Sequence, residues 1–202
     1  MKKDRNSRPT KGEATREKIL RAAIRMISDQ GPDAVSMESI AAELGLTKPL
    51  LYYYFRNKEA LIERVFEETS RESGGDWAAA LDPSVTLETL VRDMLRSRMK
   101  FFLSNPEAAK CLLKLYAAPE NSPLSRMADG RIARHAGALK KVMAAMEKDG
   151  RLPPGSADDA RLLVRGVMTL TIFEFQHSRF ADFPPDFADR MARRVAAAVS
   201  AR

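Results

Sequence analysis

The sequence of 202 residues has only one cysteine and two histidines. Cys111 therefore has no partner for an intrachain disulfide, and both histidines lie far from it in sequence, so no Cys/His zinc spacing is present. The sequence also lacks a Walker-type loop, a dinucleotide-binding glycine motif, a nucleophile elbow and a metal-spaced His/Glu cluster. We therefore expect no catalytic residue, no metal, no cofactor and no enzymatic activity.

Long hydrophobic runs are missing as well. The most apolar stretch, Leu162 to Phe175, contains Arg165 and Glu174 and is too short to span a bilayer. Residues 1–14 lack the apolar segment that a signal peptide needs. These absences predict a protein that does not enter the membrane and stays in the reducing cytoplasm.

Strand signals are the third absence, because no Val-, Ile- and Thr-rich alternation occurs. Apolar residues instead recur at helical spacing, and glycine and proline separate the segments, as at Gly31-Pro32 and Asn105-Pro106. The pattern predicts an all-α fold of about nine helices. They are expected near residues 15–30, 37–44, 48–56, 58–72, 86–104, 107–117, 124–148, 156–177 and 186–200.

The charge distribution favours a polyanionic partner. Lysine and arginine number 34 against 27 acids, giving a net charge of +7, and residues 1–25 alone hold nine basic and three acidic side chains. Residues 1–14 are polar and are expected to form a disordered basic arm. Both an inert tail and a contact with DNA remain open for this arm.

Two short helices, 37–44 and 48–56, are joined by a turn that contains Gly45. They have the dimensions of a helix-turn-helix, whose second helix enters the major groove of DNA by its N-terminal residues. Lys48, Pro49 and Tyr52 would then face the bases. Because a helix cannot bury four successive residues, at least two tyrosines of the run 52–55 should be exposed or hydrogen-bonded.

This part of the chain resembles the DNA-binding domain of the TetR family of transcription regulators over roughly residues 15–66. The resemblance is carried by TREKILRAA from Thr15 and by IAAELGLTKPLLYYYFRNKEAL from Ile40. It implies a DNA-binding domain over 15–57 and a helical ligand-binding and dimerisation domain over 58–202. The DNA-binding residues that it implies, together with the physical reasoning above, are Ser36, Met37, Thr47, Lys48, Pro49, Leu50, Tyr52, Tyr53, Tyr54 and Lys58.

Not every position follows the family pattern. Met37 stands where similar proteins often have a hydroxyl residue, and Leu50 where they often have a small or hydroxyl residue. One phosphate hydrogen bond is therefore expected to be missing, and the DNA sequence that is recognised does not follow from the resemblance.

The longer helices after residue 75 contain methionine and aromatic residues that could surround one cavity for an irregular, largely apolar effector. Most such residues fill a core, and Arg98 and His135 lie near the apolar faces, where they could orient a polar group. The predicted ligand-binding set is Met94, Arg98, Phe101, Phe102, Cys111, Leu112, Tyr116, His135, Met143, Met146, Met168 and Phe173.

The last two helices carry small residues beside apolar ones, a pattern that allows close packing across a two-fold axis. The predicted dimer interface is Gly166, Phe187, Met191, Ala192, Val195 and Ala196. Two recognition helices about 34–36 Å apart would read a palindromic site.

Together these features predict a homodimeric regulator that binds a palindromic operator in double-stranded DNA. We expect ligand binding to move residues 58–72, which link the pocket to the DNA-binding domain, and so to change the spacing of the recognition helices. The resemblance implies repression that a small molecule relieves, whereas the residues themselves leave the sign of the response open. The alternative is a DNA-binding organiser of the same fold that responds to no ligand.

Overall fold

The computed structural model describes residues 10–73, 84–117, 119, 122–178 and 183–201. Every regular element in these ranges is an α-helix, as the sequence predicted. The nine helices are α1 (Lys11–Gln30), α2 (Met37–Leu44), α3 (Lys48–Tyr54), α4 (Lys58–Glu72), α5 (Leu87–Ser104), α6 (Pro106–Tyr116), α7 (Pro123–Lys148), α8 (Ala157–His177) and α9 (Phe187–Ser200). None of these helices is both long and apolar enough to cross a bilayer.

The first helix begins earlier than predicted. Thr10 and Glu13 form a capping box, in which the Thr10 hydroxyl accepts from the Glu13 amide at 3.2 Å and the Glu13 carboxylate accepts from the Thr10 amide at 2.8 Å. The Thr-x-x-Glu spacing is itself a helix-start signal. The predicted disordered arm over 1–14 is therefore wrong for Thr10 to Ala14, and residues 1–9 lie outside the described ranges.

The two short helices form the predicted helix-turn-helix. Ser36 and Thr47 cap α2 and α3 by accepting from the backbone amides three residues on. Gly45 ends α2 at φ 62° and ψ 29°, in the left-handed region where glycine has no steric cost. The third helix ends two residues earlier than predicted, because Phe55 is extended and turns inward.

Two apolar clusters hold the helices together. The first cluster joins the four helices α1, α2, α3 and α4 with α6. Leu51 of α3 and Phe55, the residue that ends α3, are buried in it. The second lies between α5, α7, α8 and α9, where α9 packs along α5. On the outside of this contact, Nη2 of Arg96 in α5 donates to both carboxylate oxygens of Asp189 in α9, at 2.8 and 3.0 Å.

The packing of α9 on α5 corrects the predicted dimer interface. Phe187, Ala192 and Val195 are buried inside the monomer, so their side chains cannot reach a second copy. Met191 is half-buried against the same cluster. The reason is that the apolar stripe of α9 is the face needed to close the monomer core. Gly166 is exposed and Ala196 is half-buried, and both remain predicted interface positions.

Candidate nucleic-acid interface and ligand cavity

The N-terminal end of α3 points outward. Thr47, Lys48, Pro49 and Leu50 are all exposed, and no carboxylate lies within α3. Tyr52 and Tyr53 follow with 43% and 80% of their surfaces exposed. These large aromatic side chains are therefore not core residues, and the helix presents them to solvent together with a lysine.

Sequence reasoning missed the partner of Lys48. The Lys48 Nζ lies 3.1 Å from Oε1 of Glu38, in the first turn of α2. The pKa of Glu38 lies below its ordinary value because its backbone amide and the Lys48 ammonium both donate to the carboxylate. Both side chains are exposed, so a phosphate or a base edge competes with Glu38 at little cost.

The other predicted contacts lie around this helix. The Tyr54 ring is half-buried and packs edge-to-face on Tyr53, with ring centroids 5.2 Å apart. Ser36 is occupied as the cap of α2. The Lys58 Nζ donates to the Asp33 carbonyl at 3.2 Å, which holds this lysine beside the loop before α2.

Met37 is the exception among the predicted DNA contacts. Only 4% of its surface is exposed, and it packs in the first apolar cluster. Its assignment as a DNA-binding side chain is therefore wrong. The methionine fills the core at a position where the resemblance had suggested a contact with the phosphate backbone.

A cavity of about 490 Å³ lies between α5, α6, α7 and α8, with Ser73 at its edge. Its size is within the range of small-molecule sites. Eight of the predicted ligand-binding residues line it: Met94, Arg98, Phe101, Phe102, Leu112, Tyr116, His135 and Met168.

Four predicted residues lie elsewhere. Cys111 is buried in the first cluster, and Met143 and Met146 are buried in the second. Phe173 points away from the monomer with 55% of its surface exposed. Burial raises the pKa of the Cys111 thiol to about 12, so this cysteine acts as a packed apolar side chain.

The polar part of the wall is basic. Arg131 and Arg165 line the cavity beside Arg98 and His135, and no aspartate or glutamate is among the described lining residues. Helical periodicity had not identified the two additional arginines, because an arginine on a helix is usually read as solvated. Their positions depend on how α7 and α8 pack.

Arg131 connects the cavity to the end of α4. It is buried, and its guanidinium donates to the Ser70 carbonyl at 3.2 Å and to the Ser73 hydroxyl at 3.5 Å. The pKa of Tyr116 is raised by burial, and this rise is opposed by the charge of Arg131 and by its hydrogen bond to the phenol. One guanidinium therefore joins α7, α6 and the last turn of α4.

An apolar stripe remains exposed along α8. Leu162, Leu163, Leu170 and Phe173 have between 38% and 55% of their surfaces exposed, and Gly166 lies among them. Residues at this spacing share one side of a helix. The stripe is the largest group of exposed apolar side chains on any one described helix.

Sequence comparison matches residues 19–65 to the family of bacterial regulatory proteins known as the tetR family. The regulator BetI of Rhizobium meliloti is 29% identical over 107 residues, which are 53% of each protein. The class A tetracycline repressor of Escherichia coli is 34% identical over 55 residues, 27% of this chain and 26% of the repressor. The chain thus spans about half the length of the first of these relatives and about a quarter of the second.

Similarity to solved structures extends over nearly the whole chain. A tetR-family regulatory protein from Rhodococcus RHA1 covers 95% of this chain and 98% of its own, with a TM-score of 0.70 and 17% identity. A TetR-family regulator from Pseudomonas syringae covers 92% and 94%, with a TM-score of 0.64 and 22% identity. Residues 19–65 therefore match the tetR family of bacterial regulatory proteins, and the chain shares its all-α fold with TetR-family regulators of known structure.

Proposed function

We propose that this protein is a homodimeric DNA-binding transcription regulator that is released from a palindromic operator by a small-molecule effector. The observation that carries the proposal is the outward face of α3. A helix of seven residues exposes Thr47 to Leu50 at its N-terminal end, while Leu51 and Phe55 anchor it from behind. This is the arrangement that major-groove readout requires.

The exposed face offers both kinds of DNA contact. Lys48 can donate to guanine O6 or N7, and Pro49 can contact a thymine methyl group. Tyr52 and Tyr53 are exposed, and tyrosine hydroxyl groups suit phosphate oxygens. Lys58 lies at the start of α4, where free backbone amides add to the attraction for a phosphate.

The dimer interface in this proposal is the exposed stripe of α8, with Gly166 allowing close approach. It replaces the buried residues of α9 that the sequence had suggested. Phe173 is its largest exposed side chain. Burying such a surface against its own copy removes apolar area from water on both protomers at once.

Ligand release is proposed to act through α4. Its last turn is tied to α1 by the ion pair between Arg21 and Glu72 at 2.7 Å, and to α7 by the contact of Arg131 with Ser70. A ligand that moves Arg131 changes the position of α4 relative to α1, and hence the spacing of the two recognition helices. A coupling of about 1–3 kcal/mol changes operator occupancy severalfold or more. The open cavity favours this mechanism over a ligand-independent organiser.

The test of DNA binding starts with the operator, which is obtained by sequencing the DNA fragments that the purified protein retains. We expect Lys48→Ala to weaken binding to that site by about 1–3 kcal/mol, while binding to random DNA persists. Lys100→Ala, which removes an exposed lysine from α5, is the control and should change neither. An unchanged affinity and base preference in Lys48→Ala would exclude α3 as the recognition helix.

The dimer is tested separately by sedimentation. Phe173→Glu places two charges in the proposed interface and should shift the protein to monomers at micromolar concentration. Arg193→Glu, an exposed change on α9, is the comparison and should remain dimeric. Dimers of unchanged stability in Phe173→Glu would assign the interface to another face.

A further inference from the structure

The cavity wall is unusual in the sign of its charge. Arg98, Arg131 and Arg165 line it together with His135, and no aspartate or glutamate is among the described lining residues. Elsewhere in the described chain, arginines are commonly paired, as Arg92 and Arg96 are with Asp189. The described lining of the cavity therefore carries a net positive charge.

Arg98 is the cavity arginine on which the argument for an anionic ligand depends most. It is half-buried, and its guanidinium lies over the ring of Phe102, whose centroid is 5.9 Å from the guanidinium carbon. Within the part of the chain that the structure describes, it has no hydrogen bond and no ion pair. Burial lowers the pKa of Arg98; the nearby Tyr116 opposes this shift, and the charge of Arg131 adds to it. Because an arginine stays charged in proteins, removing its charge from water lowers the stability of the folded protein.

The rest of the wall is apolar. Phe101, Phe102, Leu112, Leu139 and Val164 contribute side chains to the same space. A ligand that satisfies both parts has one anionic group and one apolar body. A neutral apolar molecule would leave Arg98 without a counterion, and a cation would be repelled.

We infer that the cavity binds an amphipathic organic acid, with its carboxylate held by the guanidinium groups of Arg98 and Arg131 and its apolar body against Phe101, Phe102 and Leu112. Planar guanidinium groups match carboxylate geometry and form charge-assisted hydrogen bonds. The inference changes the expected effector from largely apolar to anionic at one end. It rests on the proposed function only in treating this cavity as the effector site.

The test uses two pairs of probes that differ in charge. Decanoate is compared with decanol, and 2-naphthoate with 2-naphthol, by calorimetric titration of the full-length protein without DNA. We expect at least one acid to bind about tenfold or more tightly than its neutral counterpart, because a hydrogen bond to a charged group is stronger than one to a neutral group. A preference in the decanoate pair indicates a ligand with an alkyl body, and a preference in the naphthoate pair indicates one with an aryl body.

The variant that tests the assignment is Arg98→Met, which keeps an apolar stem and removes the charge. It should weaken binding of the preferred acid about tenfold or more and leave the neutral probe nearly unchanged. Arg98→Lys should restore part of the affinity. Lys100→Met removes the same charge from the exposed side of α5 and should have no effect. Without ligand, Arg98→Met should melt no lower than the parent protein, because it removes a costly charge.

Three results would overturn the inference: no binding of either acid, equal affinity for acid and neutral probe in both pairs, or unchanged acid affinity in Arg98→Met. The operator experiment keeps the two proposals separate. If an acid binds through Arg98 but leaves operator affinity unchanged, ligand release fails and the anion site stands. If neither acid binds while Lys48-dependent DNA binding persists, the anion site fails and the DNA-binding function stands.

Discussion

The recognition segment and the cavity both use positive charge, but they place it in opposite surroundings. Lys48 on α3 is exposed, and an exposed carboxylate lies beside it. Arg98 lines a largely apolar cavity and, among the described residues, has no ion pair. The first arrangement suits a partner met through water, and the second suits one that must leave water to bind. Burial thus determines which kind of partner each positive charge can recognise.

The two regions should differ most in how strongly salt weakens the binding of their ligands. Raising the salt concentration from about 50 to 200 mM should weaken operator binding about 10³-fold or more, if roughly 6–10 phosphates are contacted by the dimer. Binding of an organic acid in the cavity should change by less than about threefold, since buried pairs are screened much less. Fluorescence anisotropy with labelled DNA and calorimetry with decanoate measure the two slopes. An equal dependence on salt concentration for DNA binding and for acid binding would contradict the proposed difference between an exposed and a buried charge.

A second expected effect is on stability, at two neighbouring leucines of α3. Leu51 is fully buried, whereas Leu50 has 39% of its surface exposed. Leu51→Ala should lower the free energy of unfolding by about 2–5 kcal/mol, because it leaves a cavity behind the recognition helix. Leu50→Ala should change it by less than about 0.5 kcal/mol. Urea unfolding of both variants gives the comparison, and similar losses would contradict the observed orientation of α3.

A smaller effect is expected on the coupling between the regions. Arg131→Met removes the contact with Ser70 and Ser73 at the end of α4. The coupling is measured as the ratio of the operator affinity without acid to the affinity at saturating acid, and such ratios are typically about 5–150-fold. In Arg131→Met this ratio should fall several-fold toward one. Arg165→Met removes the same charge from the same cavity and should keep the ratio. Equal losses in both variants would assign the coupling to charge alone.

The smallest effect concerns Cys111, on α6 between the two regions. Its thiol is buried, and its raised pKa of about 12 keeps it protonated at pH 8. Iodoacetamide should therefore label it far more slowly in the folded protein than in urea, with or without DNA. This group should make the free energy of unfolding fall only above about pH 9, where the unfolded chain loses the proton and the folded chain keeps it. Rapid labelling of the folded protein would show that the junction between the regions opens.

The sequence was most informative where function and local structure depend on neighbouring residues. The predicted helix-turn-helix is confirmed because the features that form it lie close together in sequence: the caps at Ser36 and Thr47, the left-handed Gly45, and the buried Leu51 and Phe55. The capping box at Thr10 had the same kind of signal and was overlooked. Met37 was misassigned because the resemblance described a position and could not show which way its side chain points.

The cavity depended on contacts between distant helices. Eight lining residues were found because they share the apolar faces of α5 to α8, but periodicity alone could not separate them from Met143 and Met146, which fill the core. Arg131 could not be identified because its burial depends on tertiary packing, and Arg165 because it is an exposed arginine that borders the cavity only through the packing of α8. The same limit affected α9, where an apolar stripe fits both a dimer interface and the closing of the monomer core.

The ion pair between Arg21 and Glu72 lies outside both the recognition face and the cavity. Arg21 is half exposed to solvent, and Glu72 belongs to the last turn of α4. A substitution at Arg21 can therefore alter how much effector is needed for a response while sparing the readout of bases and the choice of ligand. Such a position lets evolution, or an engineer building a biosensor, adjust the threshold of a regulator independently of its specificities.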